Sequence, residues 1–241
     1  MPWGWFAYPN DQSVRVSAEL LATELRKVQR QFPDVQIALV THSMGGLVAR
    51  AVIEDQSLDP GNVCQLIMVA PPSHGSILAH LSGGGDLWEH WVGRGRGSPW
   101  RRYRDSVLDG RGEAGKELRP GSQLLRQLNA RPRNPAVAYT ILLGVGGGAE
   151  TRHYDWVRRE ATATLKRLRA KQSAEAVGAL LAELAETLGP GGDGVVSRKR
   201  AHLHGVEDTV ELSFDHLGVL KDPDNNATRQ ARAIILQRVS A

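Results

Sequence analysis

The stretch LVTHSMGGLVAR, residues 39–50, decides how the fold of this chain is interpreted. It completes the apolar run VQIALVTH (35–42), which has the length of one strand and is typical of a parallel strand covered on both faces. Ser43 follows that strand directly, and residues 44–55 have a helical pattern. The order Thr-His-Ser-Met-Gly is close to the G-x-S-x-G turn that exposes a serine between a strand and a helix, with Thr41 replacing the first glycine.

The rest of the chain also alternates between strand and helix patterns. Apolar spacings of three and four residues predict a first helix through Val14, Ala18, Leu21, Leu25 and Val28. Short apolar runs predict further strands at residues 64–70, 137–144 and 209–214. FAYP (6–9) is interpreted as the end of a strand, and a last amphipathic helix is predicted at 226–239. This alternation predicts an α/β fold with a mostly parallel sheet and helices on both faces.

The length of 241 residues is enough for one sizeable α/β domain, which we expect to span residues 1–241. Residues 75–135 are rich in Gly, Arg and Trp and are predicted to be a cap-like insertion. Within it, Trp88 and Trp91 either form an apolar wall over Ser43 or pack the cap onto the body. Residues 151–189 are predicted to be a helical insertion.

Composition and charge exclude several classes of protein. Charged residues make up 23% of the chain and hydrophobic residues 41%, which is ordinary for a globular protein. No run reaches the ~18 apolar residues of a membrane span, and the first residues lack the pattern of a signal peptide, so the default location is the cytoplasm. The basic stretch 94–104 is interpreted as a solvated arm, and we expect no nucleic-acid partner. Cys64 is predicted to be a buried small hydrophobic residue.

A nucleophilic serine needs a histidine base and an acid that orients the base. His216 lies just past the last predicted strand, and Asp193 lies between glycines in GPGGDGVVS. Ser43, Asp193 and His216 satisfy the chain order Ser, acid, His that is typical of this turn. Gly-Asp-Gly is also ordinary turn chemistry, and Asp208 and Asp215 are rival acids. Asp208 precedes the wrong end of the last strand, and Asp215 is adjacent to His216.

Several other residues could have either a structural or a functional role. We interpret His42 as packed beside the turn, and His74 as either lining the pocket or a hydrogen-bonded loop histidine. His202 and His204 would face one side of an extended segment, but no third ligand follows with a recognisable spacing, so no metal site is predicted. The glycine run at 144–148 is interpreted as a strand-end loop near the site.

The segments THSMGGLVAR, GDGVVS and DHLGVL together resemble the α/β-hydrolase lipases and esterases, in the branch with lecithin–cholesterol-acyltransferase-like and GPI-inositol-deacylase-like proteins. VAPPSHGSILA resembles that branch's loop after the strand that follows the nucleophile helix. The resemblance spans residues 6–220. It implies that Ser43 is the nucleophile, His216 the general base and acid, and Asp193 its orienter. The backbone N–H of Met44 would be one oxyanion donor.

From the resemblance, we expect this sequence to lack the family's N-terminal strands. The family's second oxyanion donor comes from a loop often marked by His-Gly, and no such segment precedes Ser43. We expect Met1 to be an internal methionine of a longer reading frame. The alternatives are a truncated protein that has lost activity, and a donor supplied by another chain or backbone group.

The sequence therefore predicts a serine esterase or lipase that acts on a carboxylic ester or lipid substrate and needs no cofactor. One alternative is a catalytically impaired hydrolase fold that binds a lipid or a partner protein. Another is an acyltransferase that passes the acyl group to an alcohol. Contact with a membrane surface is compatible with the sequence, which does not define the oligomeric state.

Overall fold

The computed structural model describes residues 2–8, 12–81, 113–146, 174–221 and 225–240. Elements are numbered over these residues. The strands are β1 (Ile37–His42), β2 (Val63–Val69), β3 (Ala138–Gly144) and β4 (Asp208–Leu212). The longer helices are α1 (Val14–Gln31), α2 (Met44–Ile53), α5 (Gln123–Ala130), α6 (Ala174–Leu188) and α9 (Asn226–Val239). The shorter helices are α3 (Ile77–Leu81), α4 (Glu113–Glu117), α7 (Arg198–Ala201) and α8 (Gly218–Lys221).

The described strands form one parallel sheet in the order β1-β2-β3-β4. Each strand therefore pairs with its neighbour along the chain, and a helix-containing connection joins each pair, as parallel pairing requires. Because all the strands run the same way, their carboxyl ends lie at one edge of the sheet. Ser43 follows β1 at that edge, and His216 follows β4. The predicted parallel α/β fold is confirmed.

Helix α1 shows how local sequence selects an element. Ser13 caps its amino end by accepting the backbone N–H of Val16 at 3.3 Å, as serine does at helix starts. The helix ends at Gln31, and its C-cap residue Phe32 lies directly before Pro33, where proline disfavours continuation of a helix. Its buried face consists of Val14, Ser17, Ala18, Leu21, Ala22 and Leu25. This face contains the predicted apolar positions except Val28, which is half-buried.

Apolar side chains on the two faces of the sheet belong to separate clusters. Leu66, Ile141 and Leu143 belong to the larger cluster, together with residues of α1 and α2. Val69 follows Met68 of the larger cluster, and Leu142 lies between Ile141 and Leu143; both belong to a second cluster with residues of α9. Successive side chains of a strand point to opposite faces, so helices cover both faces of the sheet.

A buried ionic cluster joins α2 to the segment after α5. Arg50 and Glu54 have fully buried side chains and pair at 3.0 Å, and Arg133 contacts the same Glu54 carboxylate at 2.6 Å. Arg50 also donates to Asn129 at 3.0 Å. Removing one partner of such a buried pair costs about 3–5 kcal/mol. The part of the predicted cap-like insertion at residues 113–135 is thus attached to the body. Its Leu125 and Leu128 belong to the core.

Three predictions about strands and burial are wrong. FAYP was expected to end a strand, but residues 6–8 form no regular element and Pro9 lies outside the described residues. The first strand was expected to be covered on both faces, but β1 is an edge of the described sheet and Val40 is 50% exposed. Cys64 is exposed rather than buried, with its Sγ 3.6 Å from the carbonyl oxygen of Ile37.

None of the described helices combines the length and apolar character that crossing a bilayer requires.

Candidate functional site

Ser43 lies in the turn between β1 and α2 in a backbone conformation that is rare for residues other than glycine. Its φ is 53° and its ψ is −128°. A non-glycine residue held in such a region stores about 1–3 kcal/mol of strain and persists because its surroundings fix it. The backbone N–H of Ser43 donates to Val69 at 2.9 Å, and its carbonyl accepts Gly46 N–H at 3.0 Å. The turn is thereby attached both to β2 and to the first turn of α2.

The Ser43 side chain does not behave like an ordinary helix cap. A serine at an N-cap position normally accepts a backbone N–H two or three residues later. Ser43 occupies that position of α2 but makes no capping bond with its side chain. Its Oγ lies instead 2.9 Å from Nε2 of His216, at hydrogen-bond distance. The turn therefore holds this hydroxyl toward an imidazole on another loop.

His216 connects Ser43 to Asp193. Nδ1 of its ring is 2.7 Å from Oδ2 of Asp193. Its backbone N–H donates to the carbonyl oxygen of the same aspartate at 2.9 Å. Both residues are buried, each with a relative exposure of 1%. The sequence-selected residues Ser43, His216 and Asp193 thus form one continuous hydrogen-bonded chain.

Asp193 makes contacts that fit both interpretations that were left open for it. Its Oδ1 accepts the backbone N–H groups of Val195 and Val196 at 2.9 and 2.8 Å, which closes the turn. Its Oδ2 is directed to His216. The glycine that follows, Gly194, has a φ of 93°, a conformation that side chains rarely adopt. The same Gly-Asp-Gly motif therefore makes the turn and presents one carboxylate oxygen.

The end of β3 leaves room for this acid. A Cβ placed on Gly144 would lie 2.5 Å from Cβ of Asp193 and 2.6 Å from Cε2 of Phe214. Real carbon atoms do not approach so closely, so residue 144 must lack a side chain unless the acid-bearing turn moves. Of the predicted 144–148 loop, Gly144 to Gly146 are described, and they lie beside the site as expected.

The substitution of threonine for the first glycine of the G-x-S-x-G pattern does not crowd the turn. A Cβ on Gly45 would lie 3.6 Å from Cβ of Thr41 and 3.5 Å from Oη of Tyr8, both ordinary contacts. Thr41 places its hydroxyl 3.2 Å from the carbonyl oxygen of Ile67 in β2. Tyr8, whose ring stacks on Phe6, thus lies beside the turn, a placement that no sequence pattern predicted.

His42, the last residue of β1, contacts His216 from the side of the strand that precedes Ser43. Its Nε2 is 2.8 Å from the carbonyl oxygen of His216. The ring centroids of the two histidines are 4.7 Å apart. Burial, and secondly the neighbouring His216, lower the pKa of His42 to about 3. His42 is therefore neutral at physiological pH, and Nε2 carries the proton because a carbonyl oxygen can only accept.

His74 is a hydrogen-bonded loop histidine. Asn129 donates its side-chain N–H to Nδ1 of His74 at 3.2 Å, and Arg200 donates to the His74 carbonyl oxygen at 2.8 Å. Burial, with the charges of Arg50 and Arg200, lowers the pKa of His74. Ser76 in the same loop donates to the carbonyl oxygen of Val195 at 2.6 Å. This loop therefore supports the turn that carries Asp193.

The rival acids have other partners. Asp215 accepts the backbone N–H groups of Leu217 and Gly218 at 3.1 and 2.7 Å, which begins α8. Asp208 is paired with Arg238 at 2.7 Å and with the hydroxyl of Thr140 at 2.7 Å.

Some predicted features lie outside the described residues. They are Trp88 and Trp91, residues 82–112 of the predicted cap, and residues 147–173, which contain most of the predicted helical insertion. Helix α6 forms the end of that insertion. Within the described ranges, no three His, Cys, Asp or Glu side chains cluster closely enough to hold a metal ion, and His202 and His204 are no exception.

The arrangement has the parts of an acyl-transfer site. It contains a strained serine, an imidazole that can take its proton, and a carboxylate that fixes the imidazole tautomer. Met44 begins α2, so its backbone N–H belongs to the helix's first turn, where N–H groups have no intrahelical acceptor and favour a negative charge.

The contact between His42 and the His216 carbonyl oxygen was not predicted from the sequence, because no spacing rule links a strand-end histidine to a carbonyl 174 residues later.

Residues 10–91 match the family model of the PGAP1-like alpha/beta domain. The matched part includes α1, β1, the Ser43 turn and α2, but neither Asp193 nor His216. No curated protein matches the sequence significantly.

Solved lipase structures share the fold at low sequence identity. The mature form of Bacillus licheniformis lipase BlEst2 is 20% identical, with a TM-score of 0.53 over 88% of this chain and 73% of that one. The propeptide form of the same lipase has a TM-score of 0.55 at 20% identity, over 88% of this chain and 40% of that one. The phospholipase PlaB from Legionella pneumophila is 21% identical, with a TM-score of 0.53 over 83% of this chain and 36% of that one. The expected α/β-hydrolase fold is confirmed.

Proposed function

We propose that this α/β-hydrolase-fold protein is a serine hydrolase that cleaves a carboxylic ester through an acyl-enzyme. The observation that carries the proposal is the 2.9 Å contact between Ser43 Oγ and His216 Nε2, at a serine with a φ of 53°. The 2.7 Å contact between His216 and Asp193 supports it, because the base must be held in one tautomer. Ser43 is the nucleophile, His216 the general base and acid, and Asp193 the orienter.

In the first half of the reaction, Ser43 Oγ attacks the ester carbonyl carbon while its proton passes to Nε2 of His216. The carbonyl oxygen becomes an oxyanion, which the Met44 N–H stabilises at the positive end of α2. When the tetrahedral intermediate collapses, the bond between the carbonyl carbon and the alcohol oxygen breaks. His216 then gives its proton to the departing alcohol, and the acyl group is left on Ser43.

In the second half, a water molecule attacks the acyl carbon and gives one proton to His216. Collapse of the second intermediate breaks the bond to Ser43 Oγ, which takes that proton back, and a carboxylic acid leaves. Asp193 keeps its negative charge throughout and stabilises the imidazolium. The cycle uses only side chains, backbone and water.

The substrate class rests on the same site and on the fold. The lipase BlEst2 and the phospholipase PlaB share this architecture, which favours an ester of a lipid or another ester with an apolar acyl group.

One oxyanion donor, the backbone N–H of Met44, is assigned. Since removing a single donor typically lowers the rate by about 10²–10³-fold, an enzyme with only this donor would be slow but active.

Turnover of a short-chain activated ester tests the proposal. We expect the wild type to release the alcohol and Ser43→Ala to be inactive above the uncatalysed background. Ser13→Ala is the matched control, because it removes a serine from another helix cap, that of α1, far from the site in the sequence. Wild-type turnover that survives Ser43→Ala would overturn the assignment of Ser43. Absence of turnover by folded wild type would favour the impaired, lipid- or partner-binding alternative.

Product analysis with added alcohol separates hydrolysis from acyl transfer. We expect free carboxylic acid to be the main product, because water is the acyl acceptor in the second half of the proposed reaction. A new ester as the main product would identify an acyltransferase that uses the same serine.

A further inference from the structure

We propose that His42 is a positioning residue for the reaction: it donates a hydrogen bond from Nε2 to the carbonyl oxygen of His216 and so fixes the backbone from which the base reaches Ser43. The inference rests on the proposed function, because it assigns a role within the same site. His42 does not touch the reacting atoms in this role and acts through His216.

The contact joins the nucleophile strand to the base. His42 is the last residue of β1 and directly precedes Ser43. Its Nε2 lies 2.8 Å from the His216 carbonyl oxygen, across 174 residues of sequence. Ser43 and the main chain that carries its base are therefore linked through one residue, in addition to the 2.9 Å contact between Ser43 and the His216 ring.

The His216 backbone is held on two sides. Its N–H donates to the carbonyl oxygen of Asp193 at 2.9 Å, which links it to the acid-bearing turn. Its carbonyl oxygen accepts from His42, which links it to β1. Leu212 ends β4 four residues before His216, and α8 begins only at Gly218, so the base lies outside regular secondary structure. These two bonds take the place of the sheet or helix bonds that position residues elsewhere.

The donor at this position has to be uncharged. His216 becomes an imidazolium during the reaction, and its ring centroid is 4.7 Å from that of His42. A positive charge at residue 42 would oppose this protonation, because like charges at short range disfavour the charged form. Burial keeps His42 neutral above a pKa of about 3. A neutral imidazole supplies the hydrogen bond without that repulsion.

Two substitutions separate the hydrogen bond from the volume of the ring. His42→Phe keeps an aromatic ring but removes the donor, and His42→Gln keeps a neutral N–H donor on a side chain of similar reach. Ile37→Ala, at the start of the same strand, is the matched control. It removes half-buried apolar volume and lowers stability without touching the site. Active sites are counted in each protein by titration with a fluorophosphonate, so kcat is expressed per competent site.

For His42→Phe we expect kcat for the activated ester to fall by about 10- to 100-fold with KM changed little, since small misplacements of a catalytic group cost up to about that much. His42→Gln should recover most of the loss, and Ile37→Ala should keep the wild-type kcat per site at a lower Tm. Equal losses of kcat in His42→Phe and His42→Gln would overturn the positioning role of His42, and so would a wild-type kcat per site in His42→Phe. Either result would leave the proposed function standing. A folded wild type with neither turnover nor labelling would overturn the proposed function and this inference with it.

Discussion

Ser43, Asp193 and His216 were selected from chain order, turn chemistry and family resemblance, and the structure brings them into contact. Their catalytic roles stay a proposal. Sequence reasoning succeeded here because each residue belongs to a short local motif at the end of a strand. It could not find the His42 contact or the close approach at Gly144, because both depend on how distant loops meet.

Substitutions of Asp193 and of Asp215 distinguish the roles of these two acids. Asp193→Asn should lower kcat by about 10⁴-fold, because an amide no longer fixes the correct tautomer of His216 or stabilises its cation. Asp215→Asn is the control, since Asp215 accepts backbone N–H groups at the start of α8. It should lower Tm slightly and keep kcat per labelled site. Steady-state kinetics with both variants checks this, and a larger kcat loss in Asp215→Asn would reverse the assignment of the acid.

Gly144→Ala is expected to damage both stability and activity. The new Cβ would lie 2.5 Å from Cβ of Asp193, so the acid-bearing turn or Phe214 must move. Overpacking of this kind typically costs about 1–3 kcal/mol, and displacement of Asp193 should lower kcat as well.

Gly178→Ala in α6 is the control for that substitution, because a Cβ there meets no atom within 4 Å. It should leave kcat unchanged and leave stability equal or higher by up to about 1 kcal/mol, since alanine favours helix over glycine. Urea unfolding and ester kinetics measure both effects. Wild-type stability together with a wild-type kcat in Gly144→Ala would contradict the prediction, because the turn that carries Asp193 would then have moved at no cost.

At the scale of elements, the bounds of the described strands and of helices α2 and α9 follow from the sequence to within about two residues, whereas the sequence did not predict the short helices α3, α4, α5, α7 and α8. Continuous apolar runs such as 64–70 predict strands because a parallel strand is covered on both faces. The same rule gave the wrong burial for β1, since an apolar run does not reveal which strand lies at the edge of a sheet. Cys64 was misjudged for a related reason: it lies near the amino end of β2, where its side chain is exposed.

The contact between β4 and α9 predicts a specific acid sensitivity. Hydrogen bonds from Arg238, and secondarily from Thr140, lower the pKa of Asp208 below its ordinary value. A carboxylate with a lower pKa in the folded state stabilises the fold above the unfolded pKa of about 3.9, and this contribution is lost as pH falls through the folded value.

Asp208→Asn should therefore reduce stability at neutral pH and flatten its decline in acid. Glu211→Gln is the control on the same strand, because its pair with Arg198 is exposed and longer, at 3.4 Å. Urea unfolding at a series of pH values measures the slopes for both variants. An acid decline in Asp208→Asn as steep as in the wild type would contradict the role of this pair.

At the scale of the whole molecule, the sequence predicted the order of strands and helices along the chain better than it predicted what covers the molecule's surface. The parallel sheet, the helices on both faces and the placement of the site at the carboxyl ends of strands follow from alternating patterns. Residues 82–112 of the predicted cap and the larger part of the helical insertion lie outside the described residues. How Trp88 and Trp91 relate to Ser43 therefore stays a prediction.

The measurement that tests the central claim most directly is the site of covalent labelling by a fluorophosphonate, mapped by peptide mass spectrometry on the folded chain. This reagent reacts with a serine whose proton an adjacent base can accept, so labelling reports the Ser43–His216 pair without assuming a natural substrate. The account predicts one adduct, on Ser43, that is lost in Ser43→Ala and strongly slowed in Asp193→Asn. An unlabelled folded chain, or an adduct that persists in Ser43→Ala, would contradict it.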